Sequence, residues 1–303
     1  MLRAVLLKLS ESKSFAHWVT TNAHTRRMAR RFVAGETLDD AILAARECNR
    51  QGMLASLDYL GENVSTAEDA QRARDAYLEI YNRISRENLY ANVSCKLTQL
   101  GLDLSPEFCE GMLLSIVEHA SSHENFLRVD MEGSVYTQRT VELVKRVRSR
   151  NPAVGTVIQS YLYRSAGDIT DLLSYGCRMR LCKGAYKEPP GVAFPKKKDV
   201  DANYTRLMEM LLPSGFYHGI ATHDRAMISA TIRFAAANQI LKDDFEFQML
   251  YGVRTDLQRR LVKDGFRLRI YIPYGRDWFP YFMRRLAERP ANVAFFARNL
   301  LRG

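Results

Sequence analysis

YHGIATHDRAMISATIRFAAANQILKDDFEFQML, residues 217–250, holds one complete unit of the fold. A short apolar run, Tyr217–Thr222, is followed by a longer amphipathic stretch, Arg225–Ile240, and then by a second short run, Phe245–Leu250. Short apolar runs rich in β-branched and aromatic residues suit strands, and the longer segment suits a helix. Asp224 stands just before the helical stretch as a candidate N-cap. Strand, helix and strand in succession imply two parallel strands joined by a right-handed crossover.

The alternation continues in both directions. Met53–Leu57, Tyr90–Lys96, Phe126–Met131, Val154–Gln159 and Arg178–Lys183 read as strands upstream, and Leu268–Ile272 reads as a strand downstream, which makes eight. Helical stretches between them include Thr66–Glu87, Pro106–Ser122, Tyr136–Ser149, Asp201–Leu212 and Thr255–Lys263. Eight such units predict an α/β fold, a (β/α)8 TIM-type barrel. Residues 1–50 read as added N-terminal helices (Ala16–Arg31, then Thr37–Gln51) packing on the barrel, with residues 51–303 as one catalytic unit. Ser105 before Pro106 is a helix-start signal, and Ser65 three residues before Glu68 has capping-box spacing.

Composition narrows the class. The 303 residues are 47% hydrophobic and 26% charged, enough for a large core and too apolar for a disordered chain. The formal charge of +10 favours anionic ligands or surfaces. The basic clusters Arg26, Arg27, Arg30, Arg31 and Lys196–Lys198 lack interleaved aromatics, so they read as solvated faces, with a membrane surface second and no nucleic acid. Cys48, Cys95, Cys109, Cys177 and Cys182 are odd in number and form no CxxC, which suits reduced thiols. No apolar run reaches the roughly 18 residues of a spanning helix. Residues 3–31 are basic as a mitochondrial leader would be, but Glu11 and the helical pattern that follows favour mature structure.

Chemistry in such barrels sits at the C-terminal strand ends. Reading those ends gives Asp58, Lys96, Asp130 with Glu132, Gln159, Arg180 with Lys183, Thr222 with His223 and Asp224, Gln248, and Tyr271. Buried charges are costly unless paired, so this ring predicts a ligand site, a salt-bridge network or both. Taken singly, the members have plainer readings. Lys96 and Arg180 can pair structurally with Asp130, His223 can be a core histidine, and Gln159 and Gln248 can bond loop backbone. A second constellation follows the last strand. On the helix Arg276–Glu288, Tyr281, Arg284, Arg285 and Glu288 fall at i, i+3, i+4 and i+7 on one face. Two adjacent guanidiniums fit a carboxylate or phosphate; equally, they suit the helix dipole, and Arg284 can pair with Glu288. The chain has no GxGxxG after a strand, no GxxxxGK[ST], no HExxH and no GxSxG. A metal site is not expected, because no second strand-end histidine accompanies His223.

The strand-end segments also form a set in fixed order. They are VSCKLTQLG (93–101), VDME (129–132), QSY (159–161), RLCKGAYKEP (180–189), ATHD (221–224), FEFQMLYG (245–252), YIPYG (271–275) and YFMRRLAER (281–289). In this order they resemble the proline dehydrogenase family, the flavin barrel that oxidises L-proline. The resemblance runs from about Arg31 to Arg298, and the length resembles the monofunctional bacterial form without a fused aldehyde dehydrogenase domain. Cys95 and Cys182 depart from the family, where small apolar residues such as valine are expected.

The resemblance implies FAD as cofactor and hydride transfer from L-proline C5 to the flavin N5. It implies 1-pyrroline-5-carboxylate as product and membrane quinone as electron acceptor. It implies a bacterial cytoplasmic protein with peripheral contact at the inner face of the membrane. By the same resemblance, Lys96, Arg284 and Arg285 hold the proline carboxylate, and Asp130 with Arg180 forms the pair at the reaction centre. Met131, Gln159, Arg180, Lys183, Gly184, Ala185, Thr222 and His223 contact FAD. Leu250 and Tyr271 wall the proline pocket, tyrosine at the latter position marking a proline rather than a hydroxyproline enzyme. Glu62 is the gate residue, expected to pair with Arg285. No pattern sets an oligomeric state. Two other readings stand beside this one: a Schiff-base lyase using Lys96 or Lys183, and a non-enzymatic protein binding anions or membranes through its basic surface.

Overall fold

In the computed structural model, which describes residues 12–62 and 64–288, all eight apolar runs are strands. They are β1 (Leu54–Tyr59), β2 (Ala91–Cys95), β3 (Leu127–Val129), β4 (Val154–Gln159), β5 (Arg178–Cys182), β6 (His218–Ala221), β7 (Phe245–Leu250) and β8 (Leu268–Tyr274). They pair in chain order, all parallel, and β8 returns to β1 to close the barrel. The closing register runs from Leu54↔Arg269 to Tyr59↔Tyr274. Among the described residues, three helices precede the barrel: α1 (Lys13–Thr21), α2 (Ala23–Ala29) and α3 (Leu38–Arg50). The crossovers carry α4 (Ala67–Arg86), α5 (Pro106–Ser122), α6 (Ser134–Arg150), α7 (Ser165–Ser174), α8 (Lys197–Leu211), α9 (Arg225–Ala237) and α10 (Thr255–Lys263), and α11 (Trp278–Glu288) follows β8.

Local chemistry accounts for the helix starts. Ser105 Oγ accepts from the Phe108 N–H at 3.2 Å, and Pro106 fills the first turn. Asp224 Oδ1 accepts from the Ala226 N–H at 3.0 Å. The cap of α4 is Thr66, not Ser65: its Oγ1 accepts from the Asp69 N–H at 3.1 Å, one residue later than the Ser65–Glu68 spacing predicts. The predicted helix Ala16–Arg31 is two helices. Asn22 adopts an extended backbone, and its Oδ1 accepts from the Thr25 N–H at 3.3 Å. An asparagine beside two threonines offers the backbone caps that compete with helical bonds.

Strand alternation then sorts the side chains. One face of each strand turns outward to the helices. Ala55, Leu57, Val93, Leu127, Val129, Met179, Leu181, Ile220, Phe247, Leu268 and Ile270 are all fully or almost fully buried there. Each of the larger side chains contributes roughly 1.5–3 kcal/mol of burial. A second apolar cluster joins α1 and α2 to α11 through Val19, Ala29, Phe32, Phe279, Phe282 and Leu286. This cluster holds the last helix over the barrel mouth.

The inward faces are a polar ladder instead of the branched aliphatic layers usual in such barrels. Deep in the lumen, Arg269 forks onto Glu246 at 2.7 and 3.0 Å and donates to the Ala55 carbonyl at 2.7 Å. Tyr217 Oη donates to the same carboxylate at 2.9 Å. Arg128 Nη1 donates to the Arg178 and Thr156 carbonyls at 2.6 and 3.1 Å. Burial opposes ionisation of Glu246, but Arg269 and the hydrogen bonds around it outweigh burial and hold its pKa below the usual range. Replacing Arg269 by Met strands that carboxylate. Breaking one side of a buried pair costs about 3–5 kcal/mol. Urea unfolding of Arg269→Met should show a loss of that order, greatest at alkaline pH. The loss should shrink toward acid, where the stranded Glu246, its pKa now raised, takes a proton.

Candidate active site

Above the ladder, the C-terminal strand ends open into a cavity of about 750 Å³. Lys96, Asp130, Met131, Gln159, Arg180, Lys183, Gly184, Ala185, Thr222, His223, Leu250, Tyr271, Arg284 and Arg285 all line it. Glu62, in the loop after β1, reaches its rim through Arg284.

Asp130 is the junction. Its Oδ1 accepts from Arg180 Nη1 at 2.7 Å, and its Oδ2 accepts from Tyr271 Oη at 2.6 Å. Lys96 Nζ lies 3.8 Å from the same Oδ2. Arg180 stacks over the Tyr271 ring, 5.1 Å from its centroid, and also donates to Ser94 Oγ at 3.0 Å and to Gln248 Oε1. Burial and the Asp130 charge push the Tyr271 phenol well above its usual pKa, so it remains a neutral donor. Both pairings of Asp130 that the sequence left open therefore form. Gln248, however, bonds side chains and not loop backbone.

Lys96 donates to Asp58 Oδ1 at 3.0 Å and lies 3.7 Å from Glu62. Burial disfavours its charge, but Asp58, Glu62 and Asp130 together raise its pKa well above the ordinary lysine value. A Schiff-base lysine needs the opposite shift. Lys183 is likewise tied to two carboxylates, Asp201 at 2.5 Å and Asp224 at 2.8 Å. These contacts weigh against the lyase reading. Asp58 carried no assigned role in the sequence, yet it is the fully buried counter-ion of Lys96. Its signal was its place at the end of β1, alternating with Ser56.

The gate pairing needs correction. Glu62 is bonded to Arg284, at 2.9 and 3.4 Å, where the family pattern suggested Arg285. Neighbouring residues on a helix point about 100° apart, and the packing of α11 turns Arg284 toward the β1 loop. Burial pushes the Glu62 carboxyl up, but Lys96 and Arg284 outweigh it and hold the pKa below the usual range. The guanidinium of Arg285 lies 5.0 Å over the Tyr281 ring and lines the cavity. The Glu288 side chain lies outside the described residues, so its predicted pairing with Arg284 does too.

On the opposite wall, Gln159 donates to the Met131 carbonyl at 3.3 Å, while its buried Oε1 has no hydrogen-bond partner among the described residues. His223 Nε2 accepts from the Leu250 N–H at 2.9 Å, which leaves the ring proton on Nδ1. Among the described residues there is no cluster of His, Cys, Asp and Glu that could hold a metal ion. Nor is any helix among them long and apolar enough to cross a membrane.

Fold and site define a barrel enzyme whose C-terminal mouth holds one polar cavity lined by several cations. Residues 41–298 match the sequence model of the family described as Proline dehydrogenase. The chain is 41% identical over 302 residues to Proline dehydrogenase 1 of Bacillus subtilis, covering 100% of both chains. It is 41% identical over 282 residues to the proline dehydrogenase of Deinococcus radiodurans, covering 91% of each. Among solved structures it resembles proline utilization A from Bdellovibrio bacteriovorus inactivated by N-propargylglycine, with a TM-score of 0.83 and 25% identity. That match covers 95% of this chain and 36% of the longer protein. The chain belongs to the proline dehydrogenase family: it is an oxidoreductase, and its activity is the oxidation of proline.

Because its folded pKa is depressed, Glu62 contributes stability that is complete above the unfolded glutamate pKa of about 4.3. That contribution is lost as pH falls through the lower folded value. Glu62→Gln should therefore unfold at lower urea than wild type at pH 7, by about 1–3 kcal/mol. The two midpoints should converge as the pH drops below about 4.

Proposed function

We propose that the cavity seats FAD and L-proline together, with the proline carboxylate held by Lys96, Arg284 and Arg285. The observation that carries this reading is the convergence of those three cations on the cavity that also contains the Arg180–Asp130 pair and the unpartnered Gln159 Oε1. Ligand cavities commonly span about 300–1,000 Å³, and this one falls within that range. The donor set suits a flavin dinucleotide. Gln159 offers a buried acceptor, Thr222 and His223 polar wall groups, and Lys183 a cation for the anionic middle of the molecule. Met131 and the loop at Gly184 and Ala185 complete the lining. FAD, when bound, supplies the acceptor for a hydride leaving proline C5, with 1-pyrroline-5-carboxylate as the product.

The chain's own contribution is placement and electrostatics. Lys96 is a fixed cation because three carboxylates surround it. A substrate carboxylate entering the seat replaces Glu62 as the partner of Arg284, so opening and binding are one exchange of ion pairs. Tyr271 is held by its bond to Asp130. Its ring fills the space beside the substrate ring, where a hydroxyl of hydroxyproline would stand. Leu250 supplies an apolar wall for the ring carbons. Asp130 spends both oxygens on Arg180 and Tyr271, so it serves to orient them, and Arg180 supplies positive charge beside the reaction centre.

Electrons then pass to membrane quinone, at the inner face of a bacterial cytoplasmic membrane. The net charge of +10 and the lysines Lys187 and Lys197 at the cavity mouth support a peripheral contact with anionic lipid. Sedimentation with anionic vesicles should show binding at low salt that high salt abolishes.

Anaerobic addition of proline should bleach the visible flavin absorbance of the purified protein; a colourless protein that takes up no FAD would overturn the reading. Arg285→Lys keeps the charge but loses the fork. It should raise the KM for proline by roughly 10–100-fold, the equivalent of one charge-assisted hydrogen bond. Unaltered proline binding by this variant would remove Arg285 from the clamp.

A further inference from the structure

Beneath the cavity, a relay of hydrogen bonds links the deep lumen to the reaction centre, and the mechanism above leaves it unused. Arg269 and Tyr217 fix Glu246. Glu246 Oε1 accepts from Gln248 Nε2, and Gln248 Oε1 accepts from Arg180 Nε. The guanidinium is completed by Asp130 at 2.7 Å and Ser94 at 3.0 Å. Glu246, Gln248 and Arg180 are 2%, 4% and 6% exposed, so water does not substitute for these contacts. Gly219 leaves room for the relay, because a Cβ there would lie 2.5 Å from Gln248 Nε2.

We propose that Glu246 is a positioning residue for Arg180 and acts through the side-chain amide of Gln248. The inference rests on the reading of Arg180 as the cation beside the reaction centre. A carboxylate only accepts hydrogen bonds, and a guanidinium only donates them. An amide placed between them satisfies both in one orientation alone, with its carbonyl on Arg180 and its NH2 on Glu246. The flipped amide would set donor against donor and acceptor against acceptor. Ionised Glu246 therefore selects the orientation of Gln248, and Gln248 fixes the plane of Arg180. A neutral glutamine at position 246 presents either face and removes that selection. A buried Nε–H left without an acceptor is costly, and the guanidinium relieves it by turning away from Asp130.

The plainer role for Glu246 is to neutralise Arg269. That role predicts lower stability and an unaltered turnover in whatever enzyme folds. Two variants separate the roles. Glu246→Gln removes the charge, whereas Gln248→Met removes the relay and leaves the Glu246–Arg269 pair intact. In the FAD-loaded protein with proline and a soluble dye, both should lower kcat by roughly 10–100-fold, the scale of a small misplacement at a reacting centre. KM for proline should stay within about threefold, because Lys96, Arg284 and Arg285 lie off the relay. A second readout needs no proline. Hydrogen exchange of the Arg180 Nε–H, followed by NMR, should be slow in the wild type and about tenfold faster or more in both variants. A folded Gln248→Met enzyme with wild-type kcat, or a protected Arg180 Nε–H in either variant, overturns the proposal. Should Glu246→Gln fail to fold, Gln248→Met alone decides. Wild-type protein that fails to reduce dye with proline would sink the functional reading, while the exchange experiment still tests the relay.

Discussion

The ion pair of Asp130 with Arg180 is the contact on which the rest of the site depends. It joins the end of β3 to the middle of β5 across the lumen, and β8 enters through the Tyr271 hydroxyl. A buried charge pair is tolerated when its remaining hydrogen-bonding positions are filled. Here the neighbours fill them: Ser94 from β2, Gln248 from β7 and Tyr271 from β8. Side chains from five of the eight strands thus meet around a single salt bridge, which explains why the lumen is polar where barrels of this kind are ordinarily aliphatic.

Charge balance in the upper layer follows from the same arrangement. Asp58, Glu62 and Asp130 surround Lys96, and Glu62 also serves Arg284. Of these carboxylates, Asp58 lies at the buried end of the group and Glu62 at the rim. Depth therefore separates two acids of nearly the same chemistry: Asp58 is sealed in beside Lys96, and Glu62 stands at the cavity rim with Arg284.

Much of this was legible in the sequence, and the boundary between legible and hidden has a physical cause. Strand–helix alternation located all eight strands because each outward face is a run of apolar residues, and Ser105–Pro106 and Asp224 marked helix starts because caps are local chemistry. The ring of polar strand ends was legible for the same reason, since period-two alternation aims those side chains at one mouth. What stayed hidden depends on packing. Ser65 and Thr66 are both competent caps, and only the path of the chain chooses between them. Arg284 and Arg285 are adjacent and alike, and the docking of α11 against α1 and α2 decides which one faces Glu62. Glu246 looks like a charged interruption in the run FEFQML; its value emerges only when β8 brings Arg269 and β5 brings Arg180 to either end of one relay.

The closure of β8 onto β1 has a bearing on how the molecule comes into being. The Arg269 bond to the Ala55 carbonyl spans 214 residues, and every pair in the register between these strands, from Leu54↔Arg269 to Tyr59↔Tyr274, is one residue further apart. Contacts so distant in the chain form late, because long loops must be closed before they are rewarded. Until β8 has been made, the sheet lacks its closing strand and Glu246 lacks the arginine that pairs with it. The two arginines on α11 come later still. The cation-lined cavity is thus among the last products of folding, complete only when the final strand has found the first and α11 has followed it.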